Sequence, residues 1–250
     1  MDGRLVSVTR TMRLLEAITE LEGAGVSELA TALELPKSTV HGYLSTLSEL
    51  GYLVREGDSY EIGTRFLRLG EYSRTRRPAY EMVASKVTAL AEQTDERSQF
   101  VIAERGQGVF LYRASGDQAV ETDSGAGKRM AMHATAAGKA ILAALPESKV
   151  DAIVEQEGLA AVTESTITDR SALDEELQAV RERGCAFNRG ENIAGLHAVG
   201  VTVCDADNRP IGALSISGPS HRLMGPYLTE ELPALLLGTA NELELNIAYR

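Results

Sequence analysis

The sequence predicts an α+β protein of two domains, and three observations carry that reading. Residues 1–62 pattern as three helices followed by a short hairpin. From Ala79 onward, helices alternate with β-hairpins. A chain of 250 residues with 44% hydrophobic content is longer than one small core needs and can bury a sizeable second one. The expected division is 1–63 for the first domain, 64–78 for a connecting helix and 79–250 for the second domain.

In the first domain Val8, Met12, Leu15 and Ile18, with Leu14 and Leu21, recur at helical spacing, and Gly23-Ala24-Gly25 ends that helix. Ser27 can cap a short second helix carrying Leu29 and Leu33. A tight turn at 34–36 leads into a third helix from about Pro36, whose missing N–H is one the first turn leaves unpaired and whose φ already suits a helix. Val40, Leu44, Leu47 and Leu50 fall along one stripe of that helix. Ser38, Gly42, Ser45 and Glu49 lie opposite, with His41 flanking the outer face. Downstream, Tyr52-Leu53-Val54-Arg55 and Ser59-Tyr60-Glu61-Ile62 flank Glu56-Gly57-Asp58, a hairpin with a turn-forming Gly-Asp pair.

Three helices at this spacing plus a hairpin make a winged helix-turn-helix, which places its third helix in the major groove of double-stranded DNA. The candidate DNA contacts are Lys37, Ser38, Thr39, His41 and Ser45 on that helix and Arg55 on the wing. Short polar residues suit entry into the groove, and backbone N–H groups with the helix dipole favour phosphate at the first turn. The plain alternative for the helix taken alone is an amphipathic helix with a solvated polar face.

Charge opposes this reading, because phosphate contacts need Lys and Arg and the chain carries a net −11. Residues 1–75 hold eight basic and eleven acidic side chains. Only the local field at the DNA matters, however, and basic residues can share one face. Arg outnumbers Lys by twenty to five while acids dominate, a balance similar to that of proteins from salt-loving archaea.

Between the domains, Phe66, Leu69 and Tyr72 recur at helical spacing in a segment starting at Thr64, which reads either as a dimer contact or as packing against its own domain. Arg74, Arg76 and Arg77 precede Pro78 at the boundary. The second domain opens with a helix carrying Tyr80, Val83, Val87, Leu90 and Thr94. A hairpin follows, with Gln99–Ala103 and Val109–Arg113 as its strands. Helices are expected around 133–145, 148–157 and 170–183. Strands Ala198–Cys204 and Ile211–Ser217 meet at Asp207-Asn208, and a closing helix runs over about 228–248. Interleaved hairpins and helices predict an antiparallel sheet covered by helices.

On the last strand Leu214 and Ile216 share one face, while Ala213, Ser215 and Ser217 share the other. A face of small residues and hydroxyls leaves space. Opposite it, Ala136, Ala137 and Gly138 at a helix start would let a small carboxylate approach backbone N–H groups.

Other classes fit less well. No apolar run reaches membrane-spanning length and no signal segment follows Met1-Asp2-Gly3-Arg4, so a cytoplasmic protein is expected. Cys185 and Cys204 have no metal or redox spacing and read as small strand residues. No metal or cofactor is expected. Ser124-Gly125-Ala126-Gly127-Lys128 fails as a phosphate loop because Thr122 and Arg129 stand at required positions. His133, His197 and His221 lie near serines, without a nucleophile elbow or third orienting group. An enzyme is therefore not expected.

Several ordered motifs together resemble the IclR family of transcriptional regulators, including its haloarchaeal members. They are Leu35-Pro36-Lys37-Ser38-Thr39-Val40-His41, the run from Met132 to Ala143, Arg183-Gly184-Cys185-Ala186-Phe187, Gly195-Leu196, Asp205–Pro210 and Ala213–Pro219. The resemblance covers nearly the whole chain. It implies a GAF-like effector domain, a homodimer paired through the amino-terminal region and assembling further as a dimer of dimers, and repression by analogy. Carried over by position, it implies effector contacts at Ala119, Thr122, Met130, Ala136, Ala137, Asn188, Leu196, Ala198, Ser215 and Ser217. The expected effector is a small organic acid or an aromatic metabolite.

Three departures stand out. Asn188 replaces an acidic residue and offers a donor and an acceptor without charge. Gly195-Leu196-His197-Ala198 lacks the usual Cys, and Gly42 stands where an Arg often follows the His. The missing arginine and the acidity leave open a regulator that acts through protein contacts with weak or lost DNA binding.

Overall fold

The structure, a computed structural model, describes residues 5–122 and 125–249. The Met1–Arg4 segment and the Ser124 start of the rejected phosphate loop lie outside the described residues. Two compact units divide the chain, Met1–Arg76 and Arg77–Arg250.

The first unit runs α1 (Val6–Glu20), α2 (Val26–Ala32), α3 (Lys37–Glu49), β1 (Leu53–Glu56), β2 (Ser59–Ile62) and α4 (Arg65–Thr75). Leu14, Ile18, Leu29, Val40 and Leu44 meet in its core beside Leu53 and Tyr60. Val8, Met12 and Leu21 do not join them and stay exposed, because only the second half of α1, from Leu14 to Ile18, has neighbours to pack against. Leu50 is likewise exposed, since it caps α3 instead of continuing its buried stripe.

Two helix starts differ from expectation. Gly25, not Ser27, caps α2, and Ser27 sits inside the first turn, where its carbonyl accepts from Thr31 Oγ1 at 3.0 Å. Pro36 takes ψ 137° and is the cap of α3 itself, and its carbonyl accepts the first helical N–H from Val40 at 3.1 Å.

The ends of the first two helices share one device. Gly23 N–H reaches the Ile18 carbonyl at 2.9 Å and Leu35 N–H reaches that of Ala30 at 3.0 Å, each after a left-handed residue. Those left-handed residues are Glu22 (φ 54°) and Glu34 (φ 55°), not glycines. Ala24 pairs with Tyr60 through backbone bonds of 3.2 and 2.9 Å, which ties the α1–α2 connection to the hairpin.

The second unit holds α5 (Pro78–Thr94), β3 (Arg97–Glu104), β4 (Gln107–Ser115), β5 (Arg129–Met130), α6 (Ala136–Ala144), α7 (Glu147–Glu157), α8 (Arg170–Arg183), β6 (Ala186–Arg189), β7 (Leu196–Cys204), β8 (Pro210–Pro219) and α9 (Leu232–Ala248). Its strands form one antiparallel sheet in the order β5-β4-β3-β8-β7-β6. Strand alternation divides the domain into two cores. Phe100, Leu214, Ile216, Val199 and Val201 pack with α5 and α9, while Val101, Ala213 and Ala186 face α6 and α8.

Strands β5 and β6 are too short, at two and four residues, to show period-2 alternation in the sequence. The closing helix is present from about 228 as expected but is irregular at its start: a π turn over Tyr227–Glu231 passes without a break into α9 at Leu232, and Pro233 has no N–H to return to a carbonyl of that turn.

A left-handed conformation costs an L-residue about 1–2 kcal/mol, so Glu34→Gly is expected to stabilise the first unit by about 0.5–1 kcal/mol. Urea denaturation followed by far-UV circular dichroism reads this as a shift of the midpoint without a change in slope.

Candidate DNA-reading helix and ligand cavity

The polar face of α3 is built from its buried one. Val40, Leu44 and Leu47 point into the core, which leaves Lys37, Ser38 and His41 exposed and Thr39 and Ser45 half-buried along the helix. No described side chain caps the helix, so the Lys37 and Ser38 amides are open to an anion, while Thr39 N–H donates to the Pro36 carbonyl at 2.9 Å. Ser45 Oγ donates to Glu49 Oε1 at 3.2 Å. Gly42 faces open space and adds no side chain to this surface.

Arg55 sits on the wing and folds back over its turn. Its Nε donates to the Gly57 carbonyl at 2.8 Å, and Nη2 lies 3.5 Å from Asp58 Oδ1. Both contacts are exposed, so Arg55 can exchange them for a phosphate at small cost.

In α4, Phe66 packs on Tyr52 at 5.0 Å between ring centroids, whereas Leu67, Leu69 and Tyr72 are exposed. The apolar stripe of that helix thus divides: its first member serves its own unit and the others present an apolar face.

In the second unit a cavity of about 420 Å³ lies between the α6 face of the sheet and the segments 160–166 and 189–195. The amino terminus of α6 forms one wall. Thr135 caps it by accepting from Gly138 N–H at 3.1 Å, and among the described residues the Ala136 and Ala137 amides have no acceptor. Gly200 on β7 brings this turn onto the sheet, since a Cβ there would stand 2.7 Å from the Ala136 carbonyl carbon. Gly138 does the same against Met132.

Nine of the ten positions expected to contact an effector line this one cavity: Thr122, Met130, Ala136, Ala137, Asn188, Leu196, Ala198, Ser215 and Ser217. Ala119 does not. It closes a turn after β4 by donating to the Gly116 carbonyl at 3.1 Å. That segment is clamped by two arginines. Arg222 bridges Glu96 at 2.6 and 2.9 Å and reaches the Gln118 carbonyl at 2.7 Å, and Arg97 donates to the Val120 carbonyl and the Thr122 hydroxyl.

The polar capacity of Asn188 is largely consumed within the fold. Its Nδ2 donates to the Ala134 carbonyl at 2.5 Å and its Oδ1 accepts from Gly190 and Glu191 N–H, both at 3.1 Å. It shapes the wall and keeps one amide hydrogen to spare. His197 borders the cavity, while its Nδ1 bonds the Leu223 carbonyl at 2.7 Å toward the opposite core, a structural role.

Sequence reasoning missed Gln99, Phe110, Val162 and Ile193, which also line the cavity. For Gln99 the signal was available: it is a polar residue at an inward position of an alternating strand.

Behind the α6 turn, Lys139 is 1% exposed and its Nζ meets Glu191 Oε2 at 2.6 Å and Glu176 Oε1 at 3.3 Å. The Glu191 carbonyl accepts from Thr166 Oγ1 at 2.6 Å and Thr163 Oγ1 at 3.2 Å. One buried ion pair therefore joins α6 to both segments that roof the cavity. Burial pushes the Cys185 and Cys204 thiols above their ordinary range, which keeps them protonated at neutral pH. Cys204 ends β7, as expected of a strand residue, but Cys185 precedes β6. No described helix is long and apolar enough to cross a membrane.

Residues 7–57 match the family model described as the IclR helix-turn-helix domain, and residues 75–245 match that of the bacterial transcriptional regulator IclR C-terminal. The chain belongs to the IclR family of transcriptional regulators. It is 31% identical to a probable HTH-type transcriptional regulator ArcR of Halobacterium salinarum, over 98% of this chain and 94% of that protein. It is 29% identical to the transcriptional repressor IclR of Escherichia coli K12, over 97% and 90%. The IclR crystal structure from Thermotoga maritima superposes with a TM-score of 0.85 at 26% identity, covering 97% of this chain and 99% of that one. Its relatives are regulators of transcription and not enzymes, and this IclR-family chain is one as well.

Removing one partner of a buried ion pair costs about 3–5 kcal/mol. Lys139→Met is expected to lose that much stability in urea denaturation, and adding Glu191→Gln to recover part of it.

Proposed function

We propose that this IclR-family regulator binds operator DNA as a dimer through Lys37, Ser38, Thr39, His41, Ser45 and Arg55, and that a small carboxylate in the second unit's cavity changes that affinity. The observation that carries the ligand class is the lining. In a chain with 36 acidic and 25 basic residues, the described residues around the cavity include Lys128 and Arg129 and no acid, although Arg129 also pairs with Glu104 outside the lining at 2.8 Å. Two uncommitted N–H groups at a helix start add partial positive charge.

Dimer formation is supported by Leu69 and Tyr72, one turn apart on α4, which no described residue of the first unit buries. Pairing places two copies of α3 for two half-sites. Further assembly into a dimer of dimers follows from the family resemblance. Repression is supported by the likeness to the E. coli repressor. Regulation requires the ligand to favour one of two arrangements that differ in DNA affinity. Gly42 and the acidity of the chain favour a second reading, in which the protein acts through protein contacts and binds DNA weakly.

Fluorescence anisotropy with DNA from upstream of the protein's own gene, measured against scrambled competitor, separates the two. Saturable, competition-resistant binding is expected. The double variant Ser38→Ala, His41→Ala is expected to lose at least about 2 kcal/mol of specific affinity while its stabilisation by carboxylates stays unchanged. Loss of both properties together contradicts a division of labour between two modules.

A further inference from the structure

The cavity's polar groups are unequal in what they still have to offer. Gln99 on β3 is 7% exposed and lines the cavity. Its Oε1 is occupied, accepting from Ser215 Oγ at 3.3 Å, while its Nε2 donates to no described residue. Ser215 has spent its proton on that bond and acts as the anchor that orients the amide. Gln99 thus presents the cavity with an amide donor whose orientation is fixed by a neighbouring side chain.

Sheet register places this donor relative to the helix start. Gln99 pairs with Ser215, and Ser215 pairs with Gly200, so the three stand in one row across β3, β8 and β7. Gly200 is the position pressed against Ala136 and Ala137. Adjacent strands lie about 4.8 Å apart, so the Gln99 backbone is about 10 Å along that row from the point beneath the α6 amides. A glutamine side chain and a small molecule can fill that interval between them.

We infer that the Gln99 amide is the second recognition point of the cavity, selecting carboxylates that carry a further oxygen acceptor over otherwise similar carboxylates that lack one. The carboxylate sits at the Ala136 and Ala137 N–H groups, and the second oxygen, a hydroxyl or carbonyl, accepts from Gln99 Nε2. Nearby apolar side chains, among them Phe110, Val162 and Ile193, enclose the carbon body. A ligand lacking the second oxygen leaves a buried donor without a partner, a penalty the oxygenated ligand avoids. This inference rests on the proposed carboxylate-binding role of the cavity.

The test is calorimetric titration of the full chain with two matched pairs, lactate against propionate and 4-hydroxybenzoate against benzoate. In the wild type, the oxygenated member of at least one pair is expected to bind about threefold to tenfold more tightly. Gln99→Leu is expected to bring the pair to near parity with little change for the member lacking the second oxygen. Ser215→Ala frees the amide from its anchor and is expected to narrow the preference, which gives a second reading if the leucine variant folds poorly. Gln99→Glu puts an anion in the donor's place and is expected to weaken every carboxylate. A preference that survives unchanged in Gln99→Leu or Ser215→Ala overturns the assignment of Gln99 and leaves the carboxylate reading standing. Binding of neither pair overturns the carboxylate reading and the role of Gln99 with it.

Discussion

The first turn of α6 lies directly on the sheet at Gly200, and the rest of the second unit's chemistry depends on that contact. With no Cβ at Gly200 the helix start comes within van der Waals reach of β7, and with none at Gly138 the preceding turn at Met132 folds beneath it. The result is a helix terminus whose two leading amides face a cavity and not solvent. Lys139, one turn further along, holds the roof in register through Glu191. A buried ion pair adds little net stability, because desolvation of both charges offsets much of their attraction. Its value here is positional: Glu191 also receives bonds from Thr163 and Thr166 and is held by Asn188. Five side chains thus fix two loop segments against one helix.

Much of this was legible in the sequence, for identifiable reasons. The alternation of β8 told which residues face the cavity side of the sheet, since Leu214 and Ile216 pack in one core and Ala213, Ser215 and Ser217 face the other way. Glycine-and-alanine motifs marked the helix start. The third helix was readable because its apolar stripe at Val40, Leu44 and Leu47 is regular. What escaped depended on partners distant in the chain. Val8 and Met12 carry the right spacing for a core but have no neighbour. Asn188 reads as a ligand group until the Ala134 carbonyl and the Gly190 and Glu191 amides are seen to occupy it. Ser215 reads the same way until its hydroxyl is seen to donate to Oε1 of Gln99, a residue 116 positions away.

The acidity of the chain sets a condition on how it meets DNA. Phosphate neutralisation is the usual main source of affinity and weakens steeply with salt. On the proposed reading, α3 brings one cation, Lys37, with a short polar face and the Lys37 and Ser38 amides, so its affinity rests more on hydrogen bonds at close range. Such binding tolerates salt better because fewer counterions are released. Strong salt also screens the repulsion between an acid-rich, lysine-poor chain and DNA.

The central claim is that cavity occupancy and operator binding are two readouts of one equilibrium, and reciprocity tests it most directly. The measurement is operator affinity by anisotropy with and without a saturating carboxylate, paired with carboxylate affinity by calorimetry with and without saturating operator. Linkage requires the same factor in both directions, and a coupling of about 1–3 kcal/mol, roughly 5-fold to 150-fold, is the expected result. A carboxylate that fills the cavity and leaves operator affinity unchanged contradicts the claim.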